Sequence, residues 1–166
     1  MRMTMEFPEE AQIVKKMKNT MGDDILEAKI PRPRRIFVYV RKKAFKEAIR
    51  YLTQKADFTH ISTITGVDVG EEIEAIYHLS LEGRVELSLK VRTQKDNPAL
   101  PTITDIIPGA TLYEREVHDL LGVTFEGHPD LSPLVLPEGW PPDVYPLRKE
   151  WTIEKIEKEV AKGGKQ

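Results

Sequence analysis

The chain has 166 residues, no cysteine and a formal net charge of −2, with 25 Lys and Arg against 27 Asp and Glu. This length predicts one domain with a core of its own. The lack of cysteine excludes disulfides, thiolate zinc sites and cysteine-held iron–sulfur clusters. The balanced charge predicts no overall basic surface for nucleic acid. A local basic cluster is formed in the sequence by Arg32, Arg34, Arg35, Arg41, Lys42 and Lys43.

The apolar runs are short. The longest, at residues 36–40, falls far below the roughly 20 residues that a membrane-spanning helix needs. The N-terminus also lacks the apolar stretch of a secretory signal, so we expect a soluble, cytoplasmic protein without a membrane span. Lys and Glu are frequent and Asn and Gln total six, a composition typical of thermophilic sources.

Helical and strand patterns alternate in the first half of the chain. Apolar residues at helical spacing predict helices over residues 9–21 and 42–55, and Gly22 is expected to end the first. Short apolar or β-branched runs predict strands at 36–40 and 58–69. The segment 23–35, with Pro31 and Pro33, is predicted to be an extended link.

Residues 74–92 alternate with period two and predict a hairpin. A two-residue turn at Glu82-Gly83 would place Leu81 opposite a charged residue and mix apolar with charged side chains on one face. A three-residue turn, 82–84, instead pairs Leu81 with Val85 and Tyr77 with Leu89. The alternation therefore predicts the odd-length turn.

Proline becomes frequent after this hairpin. Nine of the twelve prolines lie in 98–146, six of them in 129–146, so regular structure is expected to be scarce after Leu121. One helix is predicted at 111–121, with Thr111 and Glu114 as a capping box and Gly122 as its stop. Its buried stripe is predicted to be Tyr113, Val117, Leu120 and Leu121. A short surface helix is predicted at 152–162.

These elements predict an α+β fold with a mainly antiparallel sheet and helices packed on a face, followed by a Pro-rich irregular C-terminal arm. We divide the chain into an N-terminal helix and extended link (1–35), an α+β core domain (36–122) and an extended arm with a short terminal helix (123–166).

The helix at 111–121 carries a dense set of charged residues. Glu114 and His118 share a face and, with His128, could begin a metal site or an acid–base pair. The simpler interpretation is that Glu114 caps the helix, Arg115 pairs with Asp119 at i,i+4, and His118 is a helix-face residue. Turn chemistry likewise explains residues 127–130 apart from the histidine. We favour the structural interpretation in both places.

Residues 146–149 follow no helical or strand period. They are either a solvated tail or part of a protein–protein contact, since Trp140, Tyr145 and Trp151 surround Arg148 and large aromatics beside arginine are typical of contact patches. No nucleophile elbow, phosphate-binding glycine loop or dinucleotide fingerprint is present.

A two-part motif runs through the second half of the chain. It is filled by Glu114, Arg115, Glu116, Asp119, Gly122, Phe125, Gly127, His128, Pro129 and Asp130, then by Pro146, Leu147, Arg148 and Lys149. This motif resembles the 30-kDa-type C subunit of complex I and its relatives in membrane-bound nickel–iron hydrogenases and sulfur-reducing complexes. The residues Gly66-Val67-Asp68 and Pro108-Gly109-Ala110 are similar as well, and the resemblance covers about 36–151. Members of the family often carry an aromatic residue where His118 stands and basic residues where Ser132 and Pro133 stand.

The resemblance implies a subunit with no catalytic residue, cofactor or metal of its own, in the peripheral arm of a membrane-bound, ion-translocating oxidoreductase. Iron–sulfur clusters and the nickel–iron or quinone site would belong to partner subunits. The chain would lie at the cytoplasmic face of the membrane, with the Pro-rich arm wrapped on the catalytic large subunit and Arg148 as an anchor there. The short, Lys- and Glu-rich chain favours an archaeal hydrogenase-like complex.

Two other functions remain open at this point. One is a stand-alone metal-dependent enzyme that uses Glu114, His118 and His128. The other is an adaptor module unrelated to redox chemistry.

Overall fold

The computed structural model describes residues 7–163. The first six residues of the predicted N-terminal unit and the last three of the predicted arm lie outside that range. A mixed, mostly antiparallel sheet of five strands forms the centre, in the order β1-β2-β5-β4-β3. The strands are β1 (Ile25–Arg32), β2 (Arg35–Val40), β3 (His60–Asp68), β4 (Glu72–Leu81) and β5 (Val85–Gln94). Within this sheet only β2 and β5 pair in parallel, so the predicted α+β class with a mainly antiparallel sheet is confirmed.

Four α-helices accompany the sheet in the described range: α1 (Pro8–Met21), α2 (Phe45–Lys55), α3 (Thr111–Leu121) and α4 (Ile153–Gly163). All four fall where the apolar spacing predicts helix, although the start of the second is a 3-10 turn, Lys42–Ala44. Within this range, no helix is both long and apolar enough to cross a membrane.

The hairpin between β4 and β5 has the predicted register. Leu81 lies opposite Val85 and Tyr77 opposite Leu89, which confirms the three-residue turn. Gly83 and Glu82 both have positive φ in that turn. The odd-numbered side chains of both strands therefore share the face that carries the core, together with Phe45 and Leu52 of α2.

The predicted extended link contains a strand that the sequence pattern conceals. Strand β1 pairs with β2 along its length and forms one edge of the sheet. Two register shifts interrupt its alternation, and Pro31 stands near its end. β1 therefore belongs to the same sheet as the core that was predicted to begin at residue 36.

Strand β2 also separates the two halves of the basic cluster seen in the sequence. Arg32, Arg34 and Arg35 lie at its beginning, and Arg41 to Lys43 follow its end. Six extended residues span about 20 Å, so the six cations form no single patch.

A second, two-stranded sheet joins β6 (Ala99–Pro101) to β7 (Thr124–Glu126) in parallel, and neither strand was predicted. Both have only three residues, too few for a pattern to show. This small sheet brings the residue after β6, Thr102, close to the chain that leaves α3, since its N–H donates to the Glu126 carbonyl at 2.9 Å. Residues 127–152, called here the C-terminal segment, contain no α-helix or strand.

Candidate interaction site on α3 and the C-terminal segment

Helix α3 is held at both ends by backbone geometry. A 3-10 turn, Pro108–Ala110, leads into it, and Gly122 ends it in the left-handed conformation with φ 75°. The predicted stop is therefore confirmed, but the predicted capping box is wrong. The Thr111 hydroxyl donates to the Pro108 carbonyl at 2.7 Å, and the Glu114 side chain points into the protein.

Two glycines permit close contacts around the helix. A Cβ at Gly66 of β3 would overlap the Leu121 side chain, so glycine lets α3 lie against this strand. A Cβ at Gly122 would overlap the ring of Tyr145, which covers the end of α3. Gly66 thus positions the helix on the sheet, and Gly122 positions the C-terminal segment on the helix.

The Glu114 carboxyl is completely buried below α3. It accepts a hydrogen bond from the Thr102 hydroxyl at 2.5 Å and another from the Ile103 N–H at 2.9 Å. Burial raises the pKa of Glu114 to about 7, although both of these hydrogen bonds oppose the shift. The carboxyl links α3 to the chain after β6, a role different from the predicted cap.

His128 lies beside Glu114, with its Nε2 atom 3.8 Å from the carboxyl. Its Nδ1 atom accepts the Asp130 N–H at 3.0 Å, so the proton is on Nε2, which donates to the Thr111 carbonyl at 3.1 Å. The ring therefore acts as a neutral spacer between α3 and the turn at 127–130.

His118 does not join this pair. Its Nδ1 atom donates to the Val123 carbonyl at 2.8 Å, across the end of the helix. Across residues 7–163, no group of three or more His, Asp or Glu side chains is arranged to hold a metal ion. The proposed site of Glu114, His118 and His128 thus has two neighbours and no third ligand.

Arg115 and Asp119 do not pair with each other, contrary to the prediction. The Arg115 guanidinium donates to the carbonyls of Ser132 and Pro133 at 3.0 and 2.9 Å, and to the Ser132 hydroxyl at 3.1 Å. The Arg115 charge is therefore directed at the C-terminal segment and not at Asp119.

The Asp119 carboxylate collects three backbone donors. One oxygen, Oδ2, accepts the N–H groups of Leu134 and Val135 at 2.8 Å each and that of Leu136 at 3.2 Å. Burial opposes ionisation, but the three donors lower the pKa of Asp119 below its ordinary value. The carboxylate fixes the path of residues 134–136 along the helix.

Residues 145–149 return to the end of α3. The Leu147 N–H donates to the Leu120 carbonyl at 3.1 Å. The Arg148 guanidinium lies 4.5 Å from the Tyr145 ring centre and donates to the Leu121 carbonyl at 2.8 Å. The Arg148 side chain is only 13% exposed, so it stabilises the chain's own C-terminal segment.

Asp68, at the end of β3, is a further attachment point. Its buried carboxylate accepts the Lys149 N–H at 2.8 Å, the Gly70 N–H at 2.9 Å and the Lys95 ammonium at 2.6 Å. Although burial opposes it, this set of donors, led by Lys95, lowers the pKa of Asp68 to about 2. Lys95 also bonds Glu150 at 2.6 Å.

The remaining motif residues divide between interior and surface. Phe125 is buried in the core, and Gly127 turns the chain with φ 85°. The carboxylate of Asp130 accepts the Ser132 N–H at 2.8 Å. Pro146 is half-buried, while Pro129, Asp130, Glu116 and Lys149 are exposed.

The hydrogen bonds just described leave apolar side chains facing solvent. Leu147 and Leu112 are both 55% exposed, Val135 is 52% exposed and Leu134 is 42% exposed. Exposed apolar side chains also lie elsewhere, including Ile153 at 76%, but these four belong to α3 and the C-terminal segment, and exposed apolar patches mark interaction surfaces. The arrangement of α3 and the segment fits binding of another protein.

Sequence reasoning missed several residues that build this site. Asp68 stands in a tripeptide that resembles the family but was given no role, and its distant partners Lys95 and Lys149 leave no local pattern. Thr102 had no signal, because its partner Glu114 is twelve residues away, beyond an irregular stretch and a 3-10 turn.

A family model for the respiratory-chain NADH dehydrogenase 30-kDa subunit matches residues 38–157. The chain belongs to this family. The matched range includes all of α3, the C-terminal segment and Asp68, so the resemblance read from the two-part motif is confirmed.

Relatives in the 30-kDa subunit family are subunits of membrane complexes. The chain is 37% identical to the C subunit of the F(420)H(2) dehydrogenase of Methanosarcina mazei, over 84% of this chain and 89% of the relative. It is 33% identical to the beta subunit of the membrane-bound hydrogenase of Pyrococcus furiosus, over 70% of this chain and 69% of the relative.

Two solved structures share the fold. A chain of the archaeal respiratory membrane complex called membrane-bound sulfane sulfur reductase matches with a TM-score of 0.79 and 31% identity, covering 93% of this chain and 92% of that one. The trypsin-resistant fragment of Nqo5 matches with a TM-score of 0.61 and 24% identity, covering 73% of this chain and 98% of the fragment, which establishes likeness of fold.

Proposed function

We propose that this chain is a non-catalytic docking subunit in the peripheral part of a membrane-bound, ion-translocating oxidoreductase. It binds the catalytic large subunit with the surface formed by α3 and the C-terminal segment. The observation that carries the proposal is the use of Arg115 and Asp119. They bind five backbone groups of residues 132–136 and so hold Leu134 and Val135 outward on a fixed path.

This geometry favours binding over catalysis. The motif residues Asp119 and Arg148 bond backbone groups of the same chain, which is a structural use of these side chains. A surface arranged before the partner arrives loses less conformational entropy on binding than a disordered arm does. The motif residues therefore act on the interface indirectly, by positioning the segment that touches the partner.

The redox groups would belong to the partners. Iron–sulfur clusters held by cysteine cannot be bound here, because the chain has no cysteine. The relatives named above are subunits of dehydrogenase and hydrogenase complexes, which supports partner subunits that carry these clusters and a nickel–iron or quinone site. The chain would then lie peripherally at the cytoplasmic face of the membrane.

A pair of matched leucine substitutions tests the docking surface. Leu134 and Leu26 are 42% and 43% exposed, but only Leu134 lies on α3's side of the molecule, whereas Leu26 is in β1. We expect Leu134→Asp to lower recovery of the large subunit with the tagged chain about tenfold, the factor that corresponds to roughly 1.4 kcal/mol of binding free energy.

Leu26→Asp is the control and should retain wild-type recovery. Both variants should keep the melting temperature of the isolated chain, since both side chains are exposed in it. Wild-type recovery of the large subunit with Leu134→Asp, or equal losses with both variants, would contradict docking through this surface.

A further inference from the structure

The two edges of the central sheet have different chemistry. Strand β1 carries Lys29, Pro31 and Arg32 and has two register shifts, which are devices that keep an edge from pairing with another chain. Strand β3 has a single register shift, near its start between Ile61 and Thr63, and its nine residues include no Pro, Lys, Arg or Glu and five β-branched residues. Its one carboxylate, Asp68, is buried and bound. One edge is protected and the other is open.

The backbone of β3 presents unpaired groups at this open edge. Val69 donates its N–H to the Glu72 carbonyl at 3.0 Å. Hydrogen-bonded pairs alternate along an antiparallel ladder, so Val67 and Thr65 also face β4. The N–H and C=O groups of Ile64 and Gly66 consequently point away from the sheet. Within residues 7–163, no other segment bonds to them.

A groove of about 210 Å³ runs beside the open edge. One wall is β3 at Ile64 and Gly66, and the other is α3 at Val117 and Leu120, with Leu147 at the end. Glu116 stands on the rim, exposed, and in the described part of the chain no cation lies within ion-pair distance of it. The lining therefore combines apolar side chains with Thr63 and Thr65, and it carries a negative group at its margin.

We propose that the open edge of β3 receives an extended segment of the partner subunit as a sixth strand of the sheet. The proposal rests on the docking function above and specifies how the partner binds. Main-chain hydrogen bonds to Ile64 and Gly66 supply the pairing, and alternate side chains of the added strand face the groove. An apolar side chain fits against Leu120 and Leu147, and a neighbouring Lys or Arg reaches Glu116.

The charge of the groove favours a different protein over a second copy of this chain. A symmetric β3–β3 pairing would place two α3 helices side by side on one face of the joined sheet. The two Glu116 carboxylates would then approach each other, and like charges oppose association. A strand that brings a cation has no such conflict.

Hydrogen–deuterium exchange on the full chain, alone and in the complex purified from source membranes, tests the pairing. We expect the amides of Ile64 and Gly66 to exchange rapidly in the isolated chain and to become protected in the complex. Amides of the β1 edge, 25–32, are the internal control and should exchange equally in both states. Amides of 132–149 report the docking surface independently.

Each outcome decides something. Protection of 132–149 without protection of Ile64 and Gly66 would overturn the added strand and leave the docking function in place. Protection at neither place in the complex would overturn both. Protection of β3 in the isolated chain that increases with concentration would identify a second copy as the occupant and overturn the proposed partner strand.

A substitution in the groove supplies a second test. Leu147→Glu adds a negative charge beside Glu116 at an exposed position, so the isolated chain should keep its melting temperature. The variant should lose the protection of Ile64 and Gly66 and recover about tenfold less large subunit, because the carboxylate replaces the apolar contact of Leu147 with the added strand and would have to be desolvated there. Leu26→Glu at the protected edge should change neither, and unchanged protection in Leu147→Glu would contradict the strand pairing.

Discussion

Glu114 is the residue whose ionisation matters most to the stability of this protein. Its carboxyl is buried between α3 and the chain after β6, where burial raises its pKa to about 7 from an ordinary value of 4.5. A group whose pKa is raised on folding stabilises the native state below the unfolded pKa. That contribution is lost as the pH rises from about 4.5 through about 7.

Glu114→Gln should remove this pH dependence. The amide can still accept a hydrogen bond from the Ile103 N–H and form one with the Thr102 hydroxyl, but it never carries a charge. As the pH rises from about 4 to about 8, the free energy of unfolding of the variant should increase relative to that of the wild type by up to about 3 kcal/mol. Urea denaturation at several pH values measures the difference.

The control for this experiment is Glu116→Gln, which changes an exposed carboxylate on the same helix. Its stability should follow the wild-type pH profile. Parallel profiles for Glu114→Gln and wild type would show that the buried carboxyl titrates in its ordinary range.

Tyr77 differs from Glu114 in that its buried polar atom has no hydrogen-bond partner in the described residues. Its hydroxyl bonds to nothing in the described residues, and burial, followed by the charge of Glu114, raises its pKa well above the ordinary value. Its ring packs against Phe45 with centroids 4.8 Å apart.

Tyr77→Phe keeps that ring contact and removes the unpaired hydroxyl. We expect the free energy of unfolding to be unchanged or to rise by about 1 kcal/mol, and the melting temperature to follow it. Tyr77→Leu, which loses the aromatic contact, should be destabilised and serves as the comparison. A clear loss of stability in the phenylalanine variant would mean that the hydroxyl has a bound water or another partner.

At the level of single residues, the sequence identifies the important positions more reliably than it predicts the contacts that their side chains make. The motif from Glu114 to Asp130 was recognised, yet Arg115 and Asp119 were interpreted as a helical ion pair. Helical spacing is visible in a sequence, whereas contacts with residues 15 to 18 positions further along an irregular segment are not. The true partners are backbone groups, which carry no residue-specific signal.

The same limit applies to helices and strands. The hairpin register could be predicted because two long strands alternate without interruption on both sides of a short turn. Strand β1 was missed because bulges break its alternation, and β6 and β7 were missed because each has three residues. Elements that depend on tertiary pairing more than on local pattern stay hidden.

The C-terminal segment behaves as an element in its own right, attached to α3 by Asp119 together with Arg115 and Arg148. Asp119→Ala removes the acceptor of three N–H groups and should release residues 134–136 from the helix. We expect thermolysin, which cuts before large apolar residues, to cleave at 133–136 about tenfold faster, as a local opening energy lowered by roughly 1.4 kcal/mol requires.

Asp105→Ala is the control for the proteolysis, because it removes an exposed pair with Lys46 at 2.9 Å. Its cleavage rate in the segment should equal that of the wild type. If Asp119→Ala also cleaves at the wild-type rate, the segment is held by Arg148 and Asp68 and not by the carboxylate on α3.

Across the whole molecule, the two faces of the sheet have separate uses. One face carries the core and the helices. The opposite face carries cations over aromatic rings, with Arg92 5.0 Å from Tyr39 and Lys90 5.4 Å from Phe37, and with Arg92 bonded to Glu74 at 2.7 Å. Charges paired within the chain need no partner, which concentrates the interaction surface at α3, the C-terminal segment and the edge of β3.

Asp68 connects these parts into one unit. Its carboxylate joins the end of β3 to Lys95 after β5 and to Lys149 in the C-terminal segment. Asp68→Asn keeps the shape but weakens all three donors' interactions. At neutral pH we expect a loss of unfolding free energy on the order of 1 kcal/mol, after allowance for screening by nearby solvent.

The pH dependence distinguishes this effect from a simple packing defect. The pKa of Asp68 is lowered on folding to about 2 from 3.8, so its contribution is complete above about pH 4 and is lost as the pH falls toward 2. Thermal unfolding of wild type and Asp68→Asn should therefore differ at pH 6 and converge near pH 2. A stability difference between the two proteins that stays the same at every pH would show that the amide disturbs the structure. The stabilisation by the ionised carboxylate, in contrast, must disappear when that carboxylate is protonated.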